Sequence, residues 1–268
     1  MPAKRALLLT LTGFFLLSLW WVIVQASGDE SRQLFASVYS VMALWGAIWG
    51  FSTSQIWGGT RSTFGKALFL LSLGLLFQVF GQFSYSLHIY LLHVEVPYPS
   101  IGDVGYFGSV LLYICGAWLL AKTVGLKFGI RSTVDRVKLV IFPLVLLILS
   151  YFLFLQGYQF DFTAPVSIFL DFGYPLGQAV YLSIALVTFV LGQKFFGGVM
   201  QSRVFLLLLA FLFQYAADFM FLLQNQQGNW EVGRLNDFIY LCAYTLMAIT
   251  LIDIRFVMNH LRVDSIKE

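Results

Sequence analysis

The sequence predicts an all-α integral membrane protein: about eight transmembrane helices in one domain, residues 1–268, with both termini cytoplasmic. Three observations predict it. Only 11% of the residues are charged and 59% are hydrophobic, whereas a soluble domain carries about 25% charged residues to cover its surface. Eight apolar runs approach or exceed the roughly 20 residues that cross a bilayer. The basic residues gather in alternate connections, as the positive-inside rule requires of a chain threaded back and forth.

Taken in order, the spans fall at 6–26, 34–57, 66–92, 101–124, 137–157, 166–192, 202–224 and 235–257. Backbone polar groups have no water partner in lipid, so apolar runs of this length must be helices. The first follows Lys4 and Arg5, and its end at Val24-Gln25-Ala26 resembles a signal-peptidase site. Its length, with Trp20 and Trp21 inside it, predicts a retained first helix instead. The connections are short and polar, as in Ser27-Gly28-Asp29-Glu30 and Asn225-Gln226-Gln227-Gly228-Asn229. Short connections make neighbouring spans antiparallel.

With both ends inside, every basic residue except Arg32 and Arg234 falls on the cytoplasmic side. The acidic residues show the reverse. Asp29, Glu30, Glu95, Asp103, Asp161, Asp171, Asp218, Glu231 and Asp237 fall on the outer side or in the outer part of a span. Acidic residues contribute little to topology, so their clustering calls for another cause.

A duplication is also legible. Asp103 and Tyr106 open the fourth span, and Asp237 and Tyr240 open the eighth, 134 residues later. The halves 1–134 and 135–268 would then be parallel four-helix repeats. At this offset Ser84 falls opposite Asp218.

Ionisable side chains inside a span are costly, and they face the bundle interior or water. Asp171, Tyr174, Gln178 and Tyr181 recur at i, i+3, i+7 and i+10 of the sixth span, one helical stripe. Gln214 and Asp218 are i, i+4 in the seventh; Gln82, Tyr85 and Ser86 share a face of the third. Together they predict an outward-facing polar cavity. Asp171, Tyr174, Gln178, Asp218, Gln82 and Tyr85 would line it, and Asp103, Tyr106, Asp237 and Tyr240 would close its rim. A small-molecule ligand would enter from the outer side. The competing expectation is structural: Asp103 and Asp237 would cap helices after Ser100 and Asn236, and Arg234 would neutralise Asp237 or Asp218. Pro175 would weaken the sixth span beside Tyr174.

Several activities are excluded. No lysine lies mid-span for a retinal Schiff base, and the single intraspan histidine, His88, reads as a structural hydrogen-bonder. There is no His-Glu-x-x-His zinc motif, phosphate-binding glycine loop, Gly-x-Ser-x-Gly elbow or Gly-x-Gly-Asp protease setting. No basic stripe suits nucleic acid. Cys115 and Cys242, both in apolar segments, read as small packing residues. The aromatic content of 18%, with 28 Phe, reads as lipid contact and interface anchoring. These residues predict no enzyme and leave any cofactor unassigned.

Two stretches carry a family resemblance. Pro97-Tyr98-Pro99-Ser100-Ile101-Gly102-Asp103-Val104-Gly105-Tyr106 resembles a proline-serine-x-alanine-aspartate-x-x-tyrosine signature, with Gly102 in place of the alanine. Asp171-Phe172-Gly173-Tyr174-Pro175-Leu176-Gly177-Gln178 resembles a tyrosine-proline-leucine-glycine-aspartate signature, with Gln178 in place of the aspartate. Both signatures belong to the multi-span N-terminal membrane sensor domains of bacterial diguanylate cyclases, phosphodiesterases and histidine kinases. The resemblance implies a sensory role. The tail Met258–Glu268 is too short for a catalytic output module, so a stand-alone sensor signalling through a separate partner protein is expected. An ion-coupled transporter and a structural subunit of a larger membrane complex are the alternative expectations.

Overall fold

A computed structural model describes residues 3–94, 96–123, 133–152, 156, 158, 160–192 and 200–267. Among these residues all regular structure is helical. The helices are α1 (Ala3–Gln25), α2 (Asp29–Val38), α3 (Val41–Ile56), α4 (Thr63–Leu87), α5 (Gly102–Thr123), α6 (Thr133–Ser150), α7 (Pro165–Gly192), α8 (Gln201–Gln226) and α9 (Leu235–Lys267). Tyr39 and Ser40, between α2 and α3, keep right-handed helical dihedrals. The two helices therefore run on as one span, Asp29–Ile56. A wide π turn, His88–Leu92, extends α4.

Seven of the expected spans are met. Among the described residues, seven helical segments are long and apolar enough to cross a membrane. The fifth is the exception. The sequence predicts a crossing at 137–157; among the described residues its apolar helix is Val140–Leu149. Ten residues of helix rise about 15 Å, half the bilayer's apolar thickness. Residues 153–155 and 157 of that predicted span lie outside the described ones, as do Lys127, Arg131 and Lys194 of the basic set.

Helix packing follows a closed order. α3 packs on α4, α4 on α5, α5 on α7, α7 on α8, α8 on α9, and α9 returns to α3. Six helices thus form a ring; α1 lies outside it against α9, and α6 outside it against α7. The interior is filled by Leu68, Leu71, Leu75, Leu207, Leu241 and Leu251, with a cluster of Tyr113, Tyr181 and Phe211. The outward faces are apolar and exposed, for example Leu8, Phe15 and Ile23 on α1 and Val140, Leu144 and Val145 on α6. A surface of this kind requires lipid.

Glycine brings the helices together. A Cβ on Gly105 of α5 would lie 2.5 Å from the Phe77 carbonyl oxygen and 2.7 Å from the Gly81 nitrogen, both on the α4 backbone. At the α3–α9 seam, a Cβ on Gly46 would lie 3.1 Å from the Ala248 Cβ. Lipid tails are as apolar as side chains, so helices in a membrane associate by close packing at such small residues.

The bundle has two chemically distinct ends. At one, Lys4 lies over the Phe256 ring, Arg255 over Trp49 and Lys122 over Trp118, while Arg203 pairs with Asp253 at 2.8 Å. At the other, Arg32 pairs with Asp29 and Arg234 with Glu231. The Trp21 indole also donates to the Gly233 carbonyl at 3.1 Å, tying α1 to the start of α9.

Candidate functional site

The acidic end of the ring opens into a cavity of about 170 Å³. An apolar cavity of about 150 Å³ accommodates a benzene-sized molecule, so this one has room for a small organic ligand. Gln82 and Tyr85 of α4, Asp103 and Tyr106 of α5, Tyr174 of α7, Asp218 of α8, and Asp237 and Tyr240 of α9 all line it. Five helices thus bring eight of the ten expected site residues to one space. Tyr98, before α5, and Trp230, before α9, line it from the connections.

The other two expected residues, Gln178 and Asp171, stand behind its walls. Gln178 is fully buried and donates from Nε2 to Asp218 Oδ2 at 2.5 Å. Asp171 accepts from Tyr98, a lining residue, at Oδ1 (2.6 Å) and from Tyr158 at Oδ2 (2.7 Å). Both phenols lie in connections between the spans. Desolvation, and then the bond to Asp171, hold Tyr98 above the ordinary tyrosine range and push Tyr158 up to about 12. At neutral pH both remain protonated and donating, so Asp171 works as a clasp on the two connections. Pro175 lies inside the continuous α7. It has no N–H, so the Asp171 carbonyl loses its intrahelical donor without ending the helix.

The cavity carboxylates are held by neutral donors. Asp218 accepts from the Tyr240 hydroxyl at Oδ1, and at Oδ2 from Gln178 and, at 3.0 Å, from Gln214. Asp103 accepts from Tyr174 at Oδ1 (2.8 Å) and from the Ser100 N–H at Oδ2 (2.7 Å). The Ser100 hydroxyl accepts from the Gly102 N–H at 3.1 Å. The Asp103 carboxylate thus satisfies a backbone N–H just ahead of α5, so Asp103 has both the helix-end role and a place on the cavity. Asp237 likewise accepts from the Gly233 N–H at 2.6 Å and faces the Tyr39 hydroxyl. Arg234 does not reach the cavity carboxylates in the expected way. It donates to Glu231 at 2.7 Å, because its long side chain turns outward to the polar end.

Beneath Asp237 a polar chain runs inward. Tyr106 donates to Gln82 Oε1 at 3.0 Å, and Gln82 donates to the Ala36 carbonyl at 2.8 Å. Tyr244 donates to Gln78 Oε1 at 2.9 Å, and Gln78 donates to Ser109 at 2.6 Å. Side chains fixed at both ends make walls that are pre-organised rather than soft.

Sequence reasoning missed Tyr39, Tyr98, Trp230 and Tyr244 as lining residues. A signal existed for two of them. Asp237, Tyr240 and Tyr244 repeat the i, i+3, i+7 spacing of Asp171, Tyr174 and Gln178, and Tyr39 precedes Tyr174 by 135 residues, close to the repeat offset. Tyr98 and Trp230 lie in connections, where no helical period points inward. His88 has the expected structural contact, Nδ1 to the Ser84 carbonyl at 2.8 Å. Of the two cysteines, Cys242 is half-buried, but Cys115 is exposed on the apolar face of α5 and does not pack in the core.

Comparison with known proteins finds no matching family model, no matching curated protein and no matching solved structure.

Proposed function

We propose that this chain is a non-enzymatic sensory or ligand-binding membrane protein that takes a small molecule into the cavity from the outer side. The observation that carries this reading is the convergence of eight polar side chains from five helices on one water-accessible space. Burying so many polar groups costs stability, and a bundle held only by packing would not need them. The signature-like stretches at 97–106 and 171–178 supply Tyr98, Asp103, Tyr106 and Tyr174, which supports a sensor over other roles. The α9 helix continues to Lys267, ten residues beyond its apolar part. That extension supports transfer of the signal to a separate partner on the inner side.

Eight crossings, with both termini cytoplasmic, complete the proposal. The basic end, with Lys4, Lys122 and Arg255 laid over aromatic rings, supports its assignment to the cytoplasm. Single cysteines at Ser27 and Asn229, in a background lacking Cys115 and Cys242, should react with an impermeant maleimide in intact cells. A cysteine at Arg61 should react only after permeabilisation. The opposite pattern would invert the topology.

The two-repeat reading has support in packing. The orders α3–α4–α5 and α7–α8–α9 match, and so do the contacts α9–α3 and α5–α7 that join them. The hydrogen bonds match as well. Tyr106 and Tyr240, 134 residues apart, each donate to the helix before their own, at Gln82 and Asp218, and Asp103 and Asp237, also 134 apart, each meet a tyrosine, Tyr174 and Tyr39; Gln82 and Asp218 are themselves 136 apart and the two tyrosines 135. Repeats also occur in transporters, whose binding sites use discontinuous helices. Here α7 and α8, which carry Tyr174 and Asp218, run unbroken, which favours a sensor.

Native mass spectrometry on protein gently extracted from its own membrane tests the reading. One small molecule should be retained at fixed stoichiometry. It should be lost in Asp237→Asn and kept in Asp161→Asn, a change on the exposed connection before α7. Co-purified protein chains without any small molecule would instead make this a structural subunit of a membrane complex.

A further inference from the structure

The cavity has an unbalanced charge. Asp103, Asp218 and Asp237 line it, and among the described residues no Lys, Arg or His does. All the donors that reach these carboxylates are phenols, amides, a hydroxyl or backbone N–H groups. The ion pairs found among the described residues lie elsewhere. Carboxylates withdrawn from water without a cation carry a large desolvation penalty. A positive occupant would offset it; an anion would add to it.

Two further observations narrow the cation. Asn236 lines the cavity, is only 1% exposed, and its Oδ1 has no hydrogen-bond partner. It is an unused acceptor one residue from Asp237. A buried polar atom left unpaired costs stability unless a ligand completes it. The remaining wall is largely aromatic. Tyr39, Tyr244 and Tyr240 form a stacked row, with centroids 6.0 and 6.2 Å apart, and Tyr85, Tyr106 and Trp230 face the same space. Aromatic faces attract organic cations and suit a ligand with an apolar body. A metal ion needs converging ligands instead. Among the described residues no three His, Cys, Asp or Glu side chains come together to hold one.

We propose that the occupant of the cavity is a small organic ammonium, a protonated amine carrying an apolar or aromatic body. Its N–H groups donate to Asp237 and to Asn236 Oδ1, and its body lies against the tyrosine row. This inference rests on the cavity's being a ligand site, and the experiment separates the two.

The test is calorimetric titration of the full chain in nanodiscs with phenethylamine, butylamine, 2-phenylethanol, 3-phenylpropionate and potassium ion. Phenethylamine should bind at least tenfold more tightly than 2-phenylethanol, its neutral counterpart, and 3-phenylpropionate and potassium should not bind. Asp237→Asn should weaken phenethylamine about tenfold and leave 2-phenylethanol unchanged. Asn236→Ala, which breaks no existing side-chain oxygen contact, should reduce the amine-over-alcohol preference severalfold and serves if Asp237→Asn fails to fold. Equal binding of the alcohol and the amine would overturn the cationic class and leave the ligand site standing. So would retention of a neutral or anionic native molecule when neither amine binds. If no compound binds and no native molecule is retained, both readings fall.

Discussion

Replacing Asp218 by leucine should destabilise the bundle by about 2–5 kcal/mol. Three donors converge on this carboxylate, from Tyr240, Gln178 and Gln214. Two of these bonds cross between helices, where each contributes about 0.6–1.7 kcal/mol; the third, from Gln214, lies within α8, and leucine leaves that buried amide unpaired at a cost of about 1–3 kcal/mol. The loss is wider than one contact, because Gln178 is on α7, Asp218 and Gln214 on α8, and Tyr240 on α9. Asp218 is therefore the polar joint of half the ring. Asp218→Asn keeps the shape and one acceptor oxygen, so it should cost less than half as much. Thermal unfolding in detergent, followed by tryptophan fluorescence, measures both. Equal stability of Asp218→Leu and the unmodified chain would show that the three donors find other partners and that the network is not structural.

A single methyl group at Gly105 should lower stability by about 1–3 kcal/mol, the usual range for overpacking a tight site. In a chain of this size that is an unfolding midpoint about 2–12 °C lower. The clash is with the backbone of α4, at Phe77 and Gly81, so no side-chain rotation relieves it. The helices must separate instead. Separation moves Tyr106 away from Gln82 and widens the cavity wall, so ligand retention should fall together with stability. Gly28→Ala is the control: its Cβ would meet nothing within 4 Å. An unchanged midpoint in Gly105→Ala would mean that α4 and α5 are not in close contact.

Much of this was legible in the sequence because lipid makes few demands and makes them strictly. Backbone groups must be paired within each segment, so a long apolar run becomes a helix whatever its neighbours are. That is why seven of the drawn spans lie on helices of suitable length. The fifth is described only in part: its apolar helix is seen over Val140–Leu149, and residues 153–155 and 157 of the expected span lie outside the described ones. The inward stripe on α7 was legible for a related reason. At helical spacing, costly polar groups on a single face have to point away from lipid, and Tyr174, Gln178 and Tyr181 are buried as that rule requires.

By itself, the sequence determined the helical class, most of the crossings and which polar residues turn inward, since each follows from transferring local groups into lipid. Only the tertiary structure decided which helices meet. It closed α3, α4, α5, α7, α8 and α9 into a ring, moved Asp171 from the cavity to its clasp, turned Arg234 outward to Glu231, and brought Tyr39 and Tyr244 against Asp237 and Gln78. Those choices depend on close approach at Gly105 and Gly46 and on partners as much as 166 residues apart, as Tyr244 and Gln78 are. Hydropathy does not encode them, because every apolar face is equally content in lipid and only packing and hydrogen bonding tell one neighbour from another.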